Sequence, residues 1–152
     1  MSEKEDFIRR FREVQPKFSR FYTRILTHAN LSLPQFALLS LLAADGALSM
    51  TEVSAKLHIS KPAVTNLADR LEKTHRVKRV PHPKDRRISL LRILPKGEKT
   101  VHKMQSEVLG FLLKTFEELS VSERKVITRF YSLISKTIDD SLIQPGRQVR
   151  IG

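Results

Sequence analysis

Apolar side chains recur every three or four positions near the N-terminus. Phe7, Phe11, Val14, Phe18, Phe21, Tyr22, Ile25 and Leu26 fall on one face of an α-helix. Pro16 lies within this stripe. A proline inside a helix lacks the amide its turn needs, so the spacing predicts either a bend there or a separate helix starting near Gln15. In "ANLSLPQFALLSLLAADG", Ser32 or Leu33 can precede a helix that has Pro34 in its first turn and stops at Gly46. "SMTE", residues 49 to 52, places Ser and Glu at the spacing of a capping box. It opens a short helix, "TEVSAKLH", with apolar Val53, Ala55 and Leu57. After the tight connection "IS", Ser60 can cap "KPAVTNLADRLEKT". There Pro62 falls in the first turn, and Val64, Leu67, Ala68 and Leu71 form the apolar stripe. Two helices joined by so short a turn make a helix-turn-helix, whose second helix commonly enters the DNA major groove.

The pattern then changes. "RVKRV" and "RISLLRIL" are short and β-prone, and the intervening "PHPKDR" is turn chemistry, so a hairpin directly follows the second helix of the pair. From Lys96 to Glu118, helical spacing returns through Val101, Met104, Val108, Phe111, Leu112 and Thr115. "SVSE", residues 120 to 123, is another capping box, opening a last helix with Val126, Ile127, Phe130, Leu133, Ile134 and Ile138. Pro145 and Gly146 should end it, leaving residues 144–152 as a frayed tail. The expected fold is mainly α with one small β-hairpin. No repeat or linker divides the chain, so residues 1–152 read as one unit, large enough to bury a core.

Charge sharpens this picture. Lys and Arg number 28 against 16 Asp and Glu, a formal net charge of +12. Residues 49 to 96 hold 12 of the bases and only 4 of the acids, so under a third of the chain carries +8 of the excess. A basic surface centred on the helix-turn-helix and hairpin points to an anionic partner: nucleic acid, an anionic membrane or an acidic protein. Other classes recede. No apolar run approaches the roughly 18 residues of a membrane span, so no membrane partner is expected. "MSEKEDFIRRF" lacks the apolar core of a secretory signal, so a cytoplasmic setting is expected. The chain has no Cys, which excludes disulfides and thiolate sites. The five histidines lack metal-ligand spacing, and neither a Gly-rich phosphate loop nor a nucleophile with an evident base is present. No metal, cofactor or enzymatic activity is expected.

The order helix, helix, helix-turn-helix, basic hairpin, helix, helix resembles the MarR family of winged helix-turn-helix regulators. The resemblance spans roughly residues 14 to 143 and is sharpest over "HISKPAVTNLADRLEKTHRVKRVPHPKDRRISLLRILPKG". Ile59, Ser60, Val64 and Thr65 match the family's entry to the recognition helix. Asp69 to Glu72 match its exit, Asp85 and Arg87 the tip of its wing, and Gly97 the start of the next helix. Three positions depart: His75 stands where the family usually has glycine, Leu94 replaces its usual Thr, and Pro16 interrupts what is often continuous helix.

The resemblance implies a winged helix-turn-helix over residues 34–96. It also implies dimerisation helices at residues 1–30 and 97–143, with Phe7, Phe11, Ile134 and Ile138 suited to the seam of a homodimer. Lys61, Ala63, Thr65 and Asn66 lie near the recognition helix's N-terminal end. Asn66 suits adenine, and the methyl groups of Ala63 and Thr65 suit thymine. Ser60, Arg70 and Lys73 suit backbone phosphates. Lys84 and Arg86 belong to the wing's cationic tip, Arg86 toward phosphate. Asp85 can hold the Arg87 guanidinium by paired hydrogen bonds, and by resemblance Arg87 enters the minor groove. Family members often respond to small aromatic or amphipathic effectors, for which Phe21, Tyr22, Phe36 and Met104 are the candidate lining. The expected function is a homodimeric regulator of transcription, a repressor by default, on pseudo-palindromic operators. The competing expectations are an accessory or architectural DNA-binding protein with little sequence preference, and an adaptor using its helix-turn-helix on protein.

Overall fold

The computed structural model describes residues 2–143. They form, in chain order, α1 (Glu3–His28), α2 (Leu33–Asp45), β1 (Leu48–Ser49), α3 (Met50–Leu57), α4 (Lys61–Lys73), β2 (Val77–Pro81), β3 (Ser89–Ile93), α5 (Pro95–Glu117) and α6 (Val121–Ile143). Two compact units result, Met1–Glu107 and Val108–Gly152, their boundary inside α5. The expected stop at Pro145 and the tail at 144–152 lie outside the described residues. No single described helix is long and apolar enough to cross a membrane.

Serine starts most of these helices. Ser2, Ser32 and Ser49 each accept from the amide three residues on, while Glu5, Gln35 and Glu52 return a bond to the cap's own amide. Ser32, not Leu33, therefore opens α2. Ser120 and Glu123 repeat the device at α6, at 3.4 and 2.8 Å. Ser60 lacks the acidic partner and caps Ala63 N alone, at 3.3 Å. α1 runs unbroken through Pro16, so no separate helix starts near Gln15. The lost amide removes one hydrogen bond, which the rest of a long helix outweighs.

Helix ends depart more from the sequence pattern. Gly46 stops α2 as expected, at φ +83°. Asn30, His58 and His75 adopt left-handed conformations as well, with φ of 52°, 52° and 56°. Each sits in the same paired closure. Around His75, His75 N donates to Glu72 O and Arg76 N to Leu71 O, both at 2.9 Å, and Asn30 and His58 have equivalent bonds. His75 thus does what glycine usually does at this place.

The core of the first unit joins Ile25 and Leu26 of α1, Leu38, Leu39 and Leu42 of α2, and Val53 of α3. Leu31 after α1, Val64, Ala68 and Leu71 of α4, Leu48, Val77 and Leu91 of the strands, and Val101 and Met104 of α5 complete it. The sheet holds one strand more than the expected hairpin. β3 lies between β2 and the two-residue β1, antiparallel to both, with Leu48 opposite Leu91 and Val77 opposite Ile93. Two residues carry no readable alternation, so β1 is a product of packing. Gly97 is required where α5 begins, because a Cβ there would stand 2.4 Å from Arg76 O and 2.8 Å from Ile93 Cγ1.

In the second unit, Arg124 of α6 closes the turn from α5. It donates to Phe116 O at 3.1 Å and Glu117 O at 2.6 Å, with its guanidinium 5.6 Å from the Phe116 ring centre. Leu112, Leu113, Phe116, Ile127, Phe130 and Tyr131 line an apolar groove between these helices.

Candidate nucleic-acid interface

The recognition helix is aimed from both ends. Before it, Ser54 Oγ donates to Ile59 O at 2.6 Å, and the left-handed His58 reverses the chain within three residues. Within it, Val64, Ala68 and Leu71 are fully buried, which fixes the helix's rotation about its axis. Ser60, Lys61, Thr65, Asn66, Arg70 and Lys73 are consequently exposed, and Ala63 is half-buried. Thr65 Oγ1 donates to Lys61 O at 3.1 Å, engaging the hydroxyl within the helix.

The wing presents its tip beyond the pair Pro81 and Ser89. His82 N donates to Ile88 O at 2.9 Å and Ile88 N to Asp85 O at 3.0 Å, closing the loop. Asp85 grips Arg87 at three points. Oδ1 accepts from the Arg87 amide at 3.1 Å and from Nε at 3.0 Å, and Oδ2 accepts from Nη2 at 3.0 Å. The side-chain bonds from Arg87, followed by its amide, hold the Asp85 carboxyl below the usual carboxylate range. Lys84 and Arg86 flank the pair, both exposed.

The structure redistributes the basic cluster. Arg76 is buried and donates to Ala29 O at 2.8 Å, beyond the end of α1. Arg79 bridges to α4: its guanidinium pairs with Glu72, and with Asp69 at 2.7 Å, while its amide donates to Glu72 Oε1 at 2.9 Å. Lys56 pairs with Asp45 at 2.9 Å. These cations build the fold. Their roles follow no sequence spacing, because each partner comes from another element. Lys61, Arg70, Lys73, Lys84, Arg86 and Arg87 stay exposed on α4 and the wing tip, as do Lys78, Arg92 and Lys96 on β2, β3 and α5.

One residue of the tip has no counterpart among the sequence-predicted positions. The ring of His82 accepts, through Nδ1, from Lys84 N at 3.1 Å and Asp85 N at 3.3 Å. The available signal was its place in a turn, two residues before the amide it receives, where Asn or Asp would form the same bond. Among the candidate effector residues, Phe21, Tyr22 and Phe36 are half-buried and Met104 belongs to the core. Of the residues assigned to a dimer seam, Phe7, Phe11 and Ile138 are over half exposed and Ile134 is half-buried.

Known proteins share this arrangement. Residues 31–89 match the family described as MarR. The HTH-type transcriptional regulator YsmB of Bacillus subtilis is 31% identical over 108 residues, covering 68% of this chain and 74% of the relative. A MarR family protein from Bacillus stearothermophilus superposes with a TM-score of 0.76 at 26% identity, over 91% of this chain and 99% of that one. A MepR variant from S. aureus, bound to an oligodeoxyribonucleotide, shares the fold with a TM-score of 0.68 at 19% identity, over 87% and 97% of the two chains. With this match and this winged helix-turn-helix, the chain belongs to the MarR family of DNA-binding transcriptional regulators, which are not enzymes.

Proposed function

We propose that the chain is a cytoplasmic homodimeric repressor that binds pseudo-palindromic operators with one α4 per half-site. The observation that carries this reading is the held arginine at the wing tip. Arg87 has a side chain 91% exposed, yet the bonds from its Nε and Nη2 to Asp85 fix its direction. Such pre-aiming reduces the entropy lost on docking and suits a narrow groove, whereas a merely solvated surface gains nothing from it. Residues 34–96 form the DNA-binding region. On α4, Asn66 and the methyl groups of Ala63 and Thr65 read bases, while Ser60, Arg70 and Lys73 hold phosphates. Lys61 lies at the helix end nearest the base edges, and Lys84 and Arg86 add phosphate contacts from the wing.

Residues 1–30 and 97–143 form the dimerisation region. The exposed Phe7 and Phe11 of α1 and the apolar groove of the second unit are surfaces that a second chain would cover. A small aromatic or amphipathic effector binds near Phe21, Tyr22, Phe36 and Met104. It acts only if it favours a dimer whose wings no longer match the duplex.

Competition between a duplex selected from a randomised library and a scrambled duplex of equal length tests the reading. Specific binding should exceed nonspecific binding by about 10³ or more at physiological salt. A ratio near unity would instead establish an architectural protein without sequence preference.

A further inference from the structure

Asp85 orients Arg87, but something must orient Asp85. The tip from His82 to Ile88 has few backbone bonds of its own: His82 N to Ile88 O, and Ile88 N to Asp85 O. The amides of Lys84 and Asp85 point inward and meet the His82 ring, at 3.1 and 3.3 Å from Nδ1. An imidazole nitrogen accepts hydrogen bonds only while it carries no proton. We infer that His82 is a positioning residue of the wing that organises Asp85, and through it Arg87, only while its ring is neutral.

Protonation would turn Nδ1 from an acceptor into a third donor facing two donors, and the tip would lose both bonds. Histidine is the side chain that ordinarily changes charge between about pH 5 and 8. Asp85 cannot supply the same response, because its carboxyl lies below the usual carboxylate range and stays ionised there. The groups that feel a charge on the ring are Glu52, at the start of α3, and Asp85 on the wing itself. Lys84, Arg86 and Arg87 are the other charged groups of the tip. An added charge also attracts phosphate. Acid therefore separates two quantities: attraction to any duplex holds or rises, while discrimination by the aimed arginine falls.

The inference rests on the wing's contact with DNA, and the test separates the two. The probes are a duplex selected by the wild-type chain at about pH 7.5 and a scrambled duplex, at constant ionic strength, with a second measurement at about pH 5.5. The wild-type ratio of specific to nonspecific affinity should fall about tenfold on acidification. In His82→Asn the carboxamide oxygen accepts at either pH, and the ratio should hold within about twofold. An unchanged wild-type ratio overturns the inference. An equal fall in His82→Asn does so too, since it would place the response in His28, His58, His75 or His102. Arg87→Ala reports separately on the wing: a ratio unaffected at about pH 7.5 removes the DNA contact itself.

A measurement without DNA then still decides the role of His82. Nitrogen NMR of the full-length chain should show the Nε2–H tautomer at neutral pH. The Lys84 and Asp85 amides should be protected from exchange and lose protection on acidification. An Nδ1–H tautomer at neutral pH refutes the inference whatever the wing touches.

Discussion

Arg87 shows how a side chain open to solvent can still be held in one direction. Its guanidinium gives little to stability, because a surface ion pair gains little against solvent. Arg87→Ala should therefore leave the melting temperature nearly unchanged while weakening operator binding by about 1–3 kcal/mol; a gel-shift titration beside a thermal melt checks both. The pair also has a pH signature. Because the Asp85 carboxyl is depressed by Arg87, its own titration contributes nothing above about pH 3.9, and protonation of Asp85 breaks the pair only as pH falls through its lowered value. His75 presents the opposite case, a residue whose conformation costs stability. At φ 56° it occupies a region that disfavours a Cβ, so His75→Gly should stabilise the fold by about 0.5–1 kcal/mol, read by urea denaturation. Both positions were legible in the sequence, one from Asp-x-Arg at a turn and the other from a histidine where related chains place glycine. His82 was overlooked, although its place in a turn two residues before the Lys84 amide was a signal of the kind Asn and Asp give.

Between elements, the decisive contact is Arg79 with Glu72 and Asp69, which fastens the first strand of the wing to the recognition helix. The Arg79 and Glu72 side chains are each 30% exposed, so the pair is partly shielded, and the Arg79 amide adds a bond to the same carboxylate. A double-mutant cycle on Arg79 and Glu72 should give a coupling of about 1 kcal/mol in unfolding free energy. A coupling near zero would mean that wing and helix are held by the core alone. The elements themselves were mostly readable. Capping boxes at Ser49 and Ser120, and the Ser60 cap, mark helix starts because the bonds are local and need particular residues. The stop at His58 was harder, since neither glycine nor asparagine marks it and the folded chain sets its left-handed turn. The same holds for β1, whose two residues pair only because Leu91 lies beside Leu48.

For the whole molecule, the +12 net charge stated a partner class but not an interface. Burial of Arg76, and the ion pairs of Lys56 and Arg79, remove cations that the sequence counts as surface. The cations left exposed include Lys61, Arg70 and Lys73 on α4 and Lys84, Arg86 and Arg87 at the wing tip, with Lys78, Arg92 and Lys96 on β2, β3 and α5. Replacing one phosphate contact, as in Lys73→Ala, should lower the slope of log affinity against log salt by about 0.9 per half-site. Base preference should stay the same, and fluorescence anisotropy across a salt series checks the slope. The chain's sequence by itself determined the helix-turn-helix, the hairpin, the Asp85–Arg87 grip and the family resemblance. All are set by local periodicity, capping and turn chemistry within a few residues. Only the tertiary structure decided which arginines are struts and that a third strand joins the wing. Those outcomes depend on which distant or unpaired groups the folded backbone brings within hydrogen-bonding reach, and no spacing along the chain encodes that.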